Sequence, residues 1–120
     1  MTDLVQFDES VYQILISELG EEDALEVLRT FLDDTSSKFK QLPAKFENRL
    51  EMKREAHSMK SSSATFGFAA LSRLSRELEL GSATMEPAQM LEMVHKMETS
   101  FEQALLFAEA NLLKRGAAAA

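Results

Sequence analysis

Residues 56–67 read AHSMKSSSATFG and hold one of the two histidines of the chain. Four of their side chains recur at intervals of three and four, the spacing of one face of an α-helix. These side chains are Ala56, Met59, Ser63 and Phe66. Gly67 follows this face directly, and glycine commonly ends helices because it adopts a positive φ without steric cost. The stretch predicts a helix over residues 50–66 that ends at Gly67.

A second helical pattern follows at once, from about Phe68 to Leu80, and ends at Gly81. Its apolar stripe has the same spacing of three and four: Leu71, Leu74 and Leu78. Two helices joined by so short a connection pack as antiparallel neighbours. Residues 50–81 therefore predict a helical hairpin.

Two helices are expected before the hairpin. The first begins near Asp8, a good N-cap residue, and ends at Gly20, for which a left-handed conformation is expected. Its predicted buried side chains are Val11, Ile14, Leu15 and Leu19. The second begins at the acidic residues 21–23, which suit the positive end of a helix dipole. Its apolar face comprises Leu25, Leu28, Leu32, Phe39, Leu42 and Phe46. Pro43 lies within this face and predicts either a kink or a break.

One long helix is expected after the hairpin, beginning near Pro87, because proline is tolerated in a first helical turn. Its apolar side comprises Met90, Val94, Met97, Phe101, Leu105, Ala108 and Leu112. The predicted fold is all-α: an antiparallel four-helix bundle with an additional short N-terminal helix. A single domain is assigned to residues 1–116, and residues 117–120 to a frayed tail or a cloning remnant.

Composition and charge exclude several classes of function. The chain has no cysteine, so disulfides and thiolate chemistry are excluded, and its two distant histidines make a metal site improbable. The net charge of -7 argues against nucleic acid as a partner, and no apolar run is long enough to span a membrane. A cytoplasmic location and a monomeric state are expected. Residues 38–76 nevertheless carry nine basic and three acidic side chains, so the surroundings of the hairpin are predicted to be positive.

His57 is predicted to lie on the exposed side of its helix. Lys60, Ser61 and Ala64 share its face, and Lys53 and Arg54 lie one turn before it. Small side chains there leave room for another protein to approach closely. A metal site is disfavoured because cations flank the histidine, and a serine hydrolase is disfavoured because no nucleophile elbow is present. A neutral imidazole among cations suits a nucleophile that accepts a phosphoryl group, although a surface histidine without a role remains an alternative.

The residues around His57 resemble the motif of histidine-containing phosphotransfer (HPt) domains. In that motif the histidine is followed by one variable residue, a hydrophobic residue, a lysine, Gly and two residues that are Ser or Ala. Three further residues precede a second Gly, and a hydrophobic stripe and Leu-Glu come later. The matching residues here are His57, Met59, Lys60, Ser62, Ser63, Gly67, Leu71, Leu78 and Glu79. Ser61 departs from the Gly that is usual in the family, and this departure adds bulk to the docking face. The run of serines followed by Phe-Gly is also similar to the quorum-sensing phosphotransferases of the family.

The resemblance implies a phosphorelay intermediate rather than an enzyme, with no autokinase activity. His57 would accept a phosphoryl group from the aspartate of one receiver domain and pass it to another, and Lys60 would contact the phosphoryl oxygens. His57 lies ten residues before the turn at Gly67 and Glu79 lies twelve after it, so an antiparallel hairpin brings the two close together. Glu79 is expected to orient the imidazole through Nδ1. The receiver docking face is assigned to Lys53, Arg54, Ser58, Ser61 and Ala64.

The implied partners are response-regulator receiver domains and a hybrid sensor kinase. No cofactor of its own is expected, since Mg²⁺ would be supplied by the receiver, and no metal ligands are assigned. An alternative function is a helical adaptor that binds receivers without carrying phosphate. A third possible function, a helical bundle that docks on membranes, is disfavoured because the chain has a net negative charge. The sequence leaves open whether the chain is free-standing or the terminal module of a hybrid kinase.

Overall fold

The fold is all-α, as predicted, and the computed structural model describes residues 4–114. Five α-helices follow one another: α1 (Glu9–Leu19), α2 (Glu21–Gln41), α3 (Arg49–Phe66), α4 (Ala69–Gly81) and α5 (Pro87–Phe107). A 3-10 turn (Leu42–Lys45) follows α2, and a π-helical turn (Ala108–Leu112) extends α5. Helices α2 to α5 form the antiparallel bundle, and the short α1 packs on α2 and α3. The assignment of residues 117–120 to a tail lies outside the described residues.

Local capping explains where these helices begin and end. The Asp8 carboxylate accepts hydrogen bonds from the backbone N–H of Ser10, at 3.0 Å, and of Val11, and so starts α1. Asn48 caps α3 in the same way by accepting from the Glu51 N–H. Gly67 ends α3 in the left-handed conformation, with φ 87° and ψ 13°. Gly20 also has a positive φ, of 85°, but its ψ of 157° is extended rather than left-handed helical, so α2 follows without a turn.

Pro43 breaks the second helix rather than kinking it. The α-helix ends at Gln41, and the chain continues through the 3-10 turn that contains the proline. Proline has no N–H to donate to the carbonyl four residues earlier, and its ring clashes with that carbonyl. The backbone therefore tightens into the 3-10 turn before the Asn48 cap starts α3.

The core is built from the apolar faces that the periodicity predicted on α2 to α5. All four inward side chains predicted on α3 are buried, and Leu71 and Leu78 of α4 are completely buried. Leu74 and Leu105 are only partly buried. The prediction for α1 is wrong in two places, because Ile14 and Leu19 are exposed, at 57% and 42%. The short α1 lies outside the bundle and contacts it along one narrow stripe, in which Tyr12 and Leu15 are buried.

The segment before α1 holds the hairpin turn in place. The Asp8 N–H donates to the Gly67 carbonyl at 2.8 Å, while the N–H groups of Ala69 and Ala70 donate to the Gln6 and Val5 carbonyls. The first N–H groups of any helix lack partners within the helix, and residues 5–6 supply acceptors for two of them at the start of α4. The turn that connects α3 to α4 is thereby fixed from both sides.

Candidate functional site

His57 lies in the middle of α3, on its exposed face. Its side chain retains 61% of its accessible surface, although both neighbours on the inner face, Ala56 and Met59, are fully packed. The backbone below the ring is therefore rigid, while the ring itself is open to solvent. This arrangement suits an imidazole that must react with a group carried by another molecule.

Glu79 on α4 connects His57 to Lys60. Its Oε2 lies 2.5 Å from Nδ1 of His57, and its Oε1 accepts a hydrogen bond from Nζ of Lys60 at 2.7 Å. The Glu79 side chain is only 13% exposed, so the carboxylate is held between the two helices rather than in bulk water. Glu79 thus lies where the register of the hairpin predicted it, and its orienting role stays a prediction.

The charge state of Glu79 determines what the His57 ring presents to solvent. The hydrogen bond from Lys60, and after it the bond with His57, holds the pKa of Glu79 below its ordinary value of 4.5. A carboxylate can only accept hydrogen bonds, so in the neutral ring Nδ1 carries the proton and donates it to Oε2. The lone pair is then on Nε2, the nitrogen that is not bonded to Glu79.

The residues assigned to the docking face all lie on the surface of α3: Lys53, Arg54, Ser58, Ser61 and Ala64. Ser58 accepts a hydrogen bond from Nζ of Lys38 at 2.8 Å, which brings a cation from α2 to the edge of this face. The side chains of Ser61 and Ala64 are short, so they leave space for another molecule above the helix surface next to His57. Their part in docking stays a prediction.

Three shallow depressions surround His57, and they are lined in part by residues that the sequence analysis did not assign to the site. One, of about 430 Å³, includes Leu50, whose side chain is 58% exposed next to His57 and Glu79. Another, of about 340 Å³, lies on the α4 side and includes Arg73 and Arg76. The third, of about 260 Å³, lies on the α2 side and includes Lys38. Leu50 precedes His57 by seven residues and Arg76 precedes Glu79 by three, so helical spacing offered a signal for both.

His95, the second histidine, lies on the surface of α5, next to a separate groove of about 470 Å³ lined by Arg73, Leu74 and Lys96. Its surroundings contain no carboxylate bonded to the ring in the part of the chain that the structure describes. Residues 4–114 contain no group of three or more His, Cys, Asp or Glu side chains that could hold a metal ion. None of the helices described is long and apolar enough to cross a membrane.

Comparison with known families gives one match. The family model described as "Hpt domain" matches residues 26–114, which include the whole of α3 and α4 with His57, Lys60 and Glu79. No curated protein and no solved structure gives a significant match. Hpt domains carry out histidine phosphotransfer in phosphorelays, interact with receiver domains, and in general are phosphocarriers without catalytic activity.

Proposed function

Because this chain belongs to the Hpt domain family, we propose that it relays phosphoryl groups between receiver domains, with His57 as the phosphoacceptor. A hybrid sensor kinase would supply the phosphoryl group through one receiver, and a second receiver would take it onward. The observation that carries this proposal is the bond between Nδ1 of His57 and Glu79 in an otherwise exposed ring. It leaves Nε2 as a nucleophile open to an incoming domain.

The proposed transfer needs little from this chain beyond position and charge. The lone pair on Nε2 attacks the phosphorus of the receiver's aspartyl phosphate, so a P–N bond forms as the P–O bond to the aspartate breaks. The aspartate leaves as a carboxylate. The ring keeps its proton on Nδ1 and becomes positively charged, and the Glu79 carboxylate compensates that charge. Transfer to the second receiver reverses these steps, and the receiver contributes the Mg²⁺.

Lys60 is proposed to contact the phosphoryl oxygens. It lies one turn after His57 on α3, and its side chain is 30% exposed although it is bonded to Glu79. An ammonium group has three N–H donors, so one bond to Glu79 leaves donors for the phosphoryl group. Lys53 and Arg54, exposed at the preceding turn, add positive charge that attracts the dianionic group.

The test is replacement of each histidine in turn. His57→Gln removes the proposed nucleophile, whereas His95→Gln is the matched control because His95 is the other histidine of the chain. Each variant is incubated with receiver domains carrying labelled phosphate and with phosphoramidate, a small donor that needs no docking. Mass spectrometry and lability in acid but not in base then identify a phosphohistidine.

The expected result is labelling of the wild type and of His95→Gln, and none of His57→Gln. Labelling of His57→Gln at the wild-type level would contradict the assignment. A wild-type chain that binds receivers but accepts phosphate from neither donor would instead support the alternative function of an adaptor.

A further inference from the structure

We propose that the groove on the α4 side of His57 is the docking site for the acidic surface of the phosphorylated receiver, and that Arg76 is its main contact. The proposal rests on the phosphocarrier function and specifies where the partner sits. We name this depression the α4 groove; it is bounded by Val11, Lys60, Ala64, Gly67, Arg73 and Arg76. Its volume is about 340 Å³.

The α4 groove is continuous with the reactive site. Lys60, which is bonded to Glu79 beside His57, is also part of the groove wall. Part of the floor is made by Ala64 and Gly67, which add little bulk and so allow another backbone to come close. A domain whose aspartate reaches Nε2 of His57 can therefore place neighbouring residues in the groove at the same time.

The charge of the α4 groove favours an acidic occupant. Three cations line it, Lys60, Arg73 and Arg76, against a single carboxylate. That carboxylate, Asp8, already accepts bonds from Ser10 and Val11, which lower its pKa and make it part of the α1 cap.

Arg76 is the cation of the groove that has no bonded partner among residues 4–114. Lys60 is bonded to Glu79, and Arg73 donates to Oε1 of Gln6 at 2.5 Å. Arg76 is exposed on α4 and forms no hydrogen bond or ion pair with any residue between 4 and 114. A guanidinium group offers five N–H donors in a planar fork that matches a carboxylate, so Arg76 is ready to bind one.

The depression on the α2 side of His57 has no such excess of positive charge. It contains one cation, Lys38, and one carboxylate, Asp34, so its net charge is close to zero. Lys38 is also already bonded to Ser58. A receiver holds Mg²⁺ through carboxylates around its phosphorylated aspartate, so the surface that meets His57 is acidic. Such a surface is attracted to the α4 side of α3 rather than to the α2 side.

The experiment compares Arg76→Ala with Lys38→Ala, which removes one cation from the opposite side of His57. Phosphorylation of each variant is measured with two donors. One is phosphoramidate, which needs no docking surface. The other is the aspartyl-phosphorylated receiver domain, from the source organism, that transfers fastest to the wild type. The receiver reaction is repeated at low and high salt, because attraction between exposed charges weakens as ionic strength rises.

Arg76→Ala is expected to slow transfer from the receiver by about tenfold at low salt, with a smaller loss at high salt. Its reaction with phosphoramidate is expected to stay within about twofold of the wild type. Lys38→Ala is expected to slow transfer from the receiver clearly less than Arg76→Ala does. Normal receiver transfer by Arg76→Ala would overturn the proposed docking site while leaving the phosphocarrier function intact. A tenfold loss with phosphoramidate would also overturn it, because Arg76 would then act on the phosphoryl group. Failure of the wild type with both donors would instead contradict the phosphocarrier function.

Discussion

His57 and Glu79 are bonded side chain to side chain across the α3–α4 hairpin, although 22 positions separate them in the sequence. The relationship depends on buried neighbours on each helix, since Ala56 and Leu78 are both fully buried and fix the two backbones. The carboxylate and the imidazole are therefore held in register by the core rather than by their own bond. Five predictions concern this register and the packing that supports it.

Removing the Glu79 carboxylate is expected to change the tautomer of His57 and slow its reaction. In Glu79→Ala no carboxylate selects the tautomer with the proton on Nδ1, so both neutral tautomers become populated and Nε2 is the free nitrogen in only part of the molecules. Outer-shell partners of metal-bound imidazoles typically contribute about 10-fold to 100-fold to affinity or activity, and by analogy we expect a loss of about 10-fold with phosphoramidate. The tautomers are measured from the imidazole ¹⁵N shifts. Glu77→Ala, an exposed acid on the same helix, is the control and is expected to retain the wild-type tautomer.

Lys60→Gln is expected to raise the pKa of Glu79 towards its ordinary value of 4.5, because the Lys60 hydrogen bond is the largest cause of its depression. The titration is followed by ¹³C NMR of the Glu79 carboxyl group. Lys53→Gln, which removes a nearby cation that is not bonded to Glu79, is expected to produce a smaller shift. Equal shifts in the two variants would show that general charge, rather than the direct bond, lowers this pKa.

The same pKa predicts how the stability of the fold depends on pH. A carboxyl group whose pKa is lowered by folding stabilises the folded state fully above its unfolded pKa and loses that effect as pH falls through its folded pKa. The stabilisation by Glu79 is thus fully present above about pH 4.5 and is lost progressively as the pH falls below that value through the lowered pKa of the folded state. Urea unfolding at pH 7 and at pH 3 measures the difference in free energy of unfolding between the wild type and Glu79→Gln. A difference in free energy of unfolding that is as large at pH 3 as at pH 7 would contradict the prediction.

Gly67→Ala is expected to destabilise the protein by about 2 to 4 kcal/mol. The residue has a φ of 87°, and a Cβ there would lie 2.6 Å from the Asp8 carbonyl oxygen, which is backbone and cannot move aside easily. Gly81→Ala is the control, since the closest atom to its Cβ is the flexible end of Met85. Chemical unfolding of Gly81→Ala is expected to show a change of less than about 1 kcal/mol, because alanine also favours the helix.

Ser63→Ala is expected to stabilise the protein by about 1 kcal/mol. The Ser63 hydroxyl is completely buried on the inner face of α3 and has no hydrogen-bond partner within residues 4–114. Ser75 on α4 is equally buried, but its hydroxyl donates to the Leu71 carbonyl at 2.7 Å, so Ser75→Ala is the matched control. Thermal unfolding should show no stabilisation for Ser75→Ala. A lower melting temperature for Ser63→Ala would mean that the hydroxyl is satisfied in solution.

Much of the helical layout was predictable because helix signals are local. Asp8, Gly67 and Pro87 act on one or two turns of backbone through capping and conformational preference, and helices start or end next to each of them. The errors occurred where burial depends on distant neighbours. Ile14 and Leu19 have apolar side chains at helical spacing, but α1 has bundle helices on one side only.

The candidate site was partly predictable for the same reason. The face of His57, Lys60 and Ala64 follows from positions within one helix, and Glu79 followed from counting residues on either side of the turn. Counting could not show that Glu79 bonds Lys60 as well, nor that Lys38 reaches Ser58 from α2. Those contacts depend on the angle at which helices cross and on side-chain rotamers, which sequence spacing does not specify.

Three features of this protein follow from local sequence alone: the chain forms amphipathic helices, most of these helices end at recognisable residues, and one histidine lies among cations and small residues. These properties arise from interactions within a few residues along one helix. The packing of the helices against one another adds two features: one carboxylate joins His57 to Lys60, and Arg76 lies at the edge of a groove with no bonded partner among residues 4–114. Both depend on how separate helices pack, because a side chain's partners are set by the shape of the whole core.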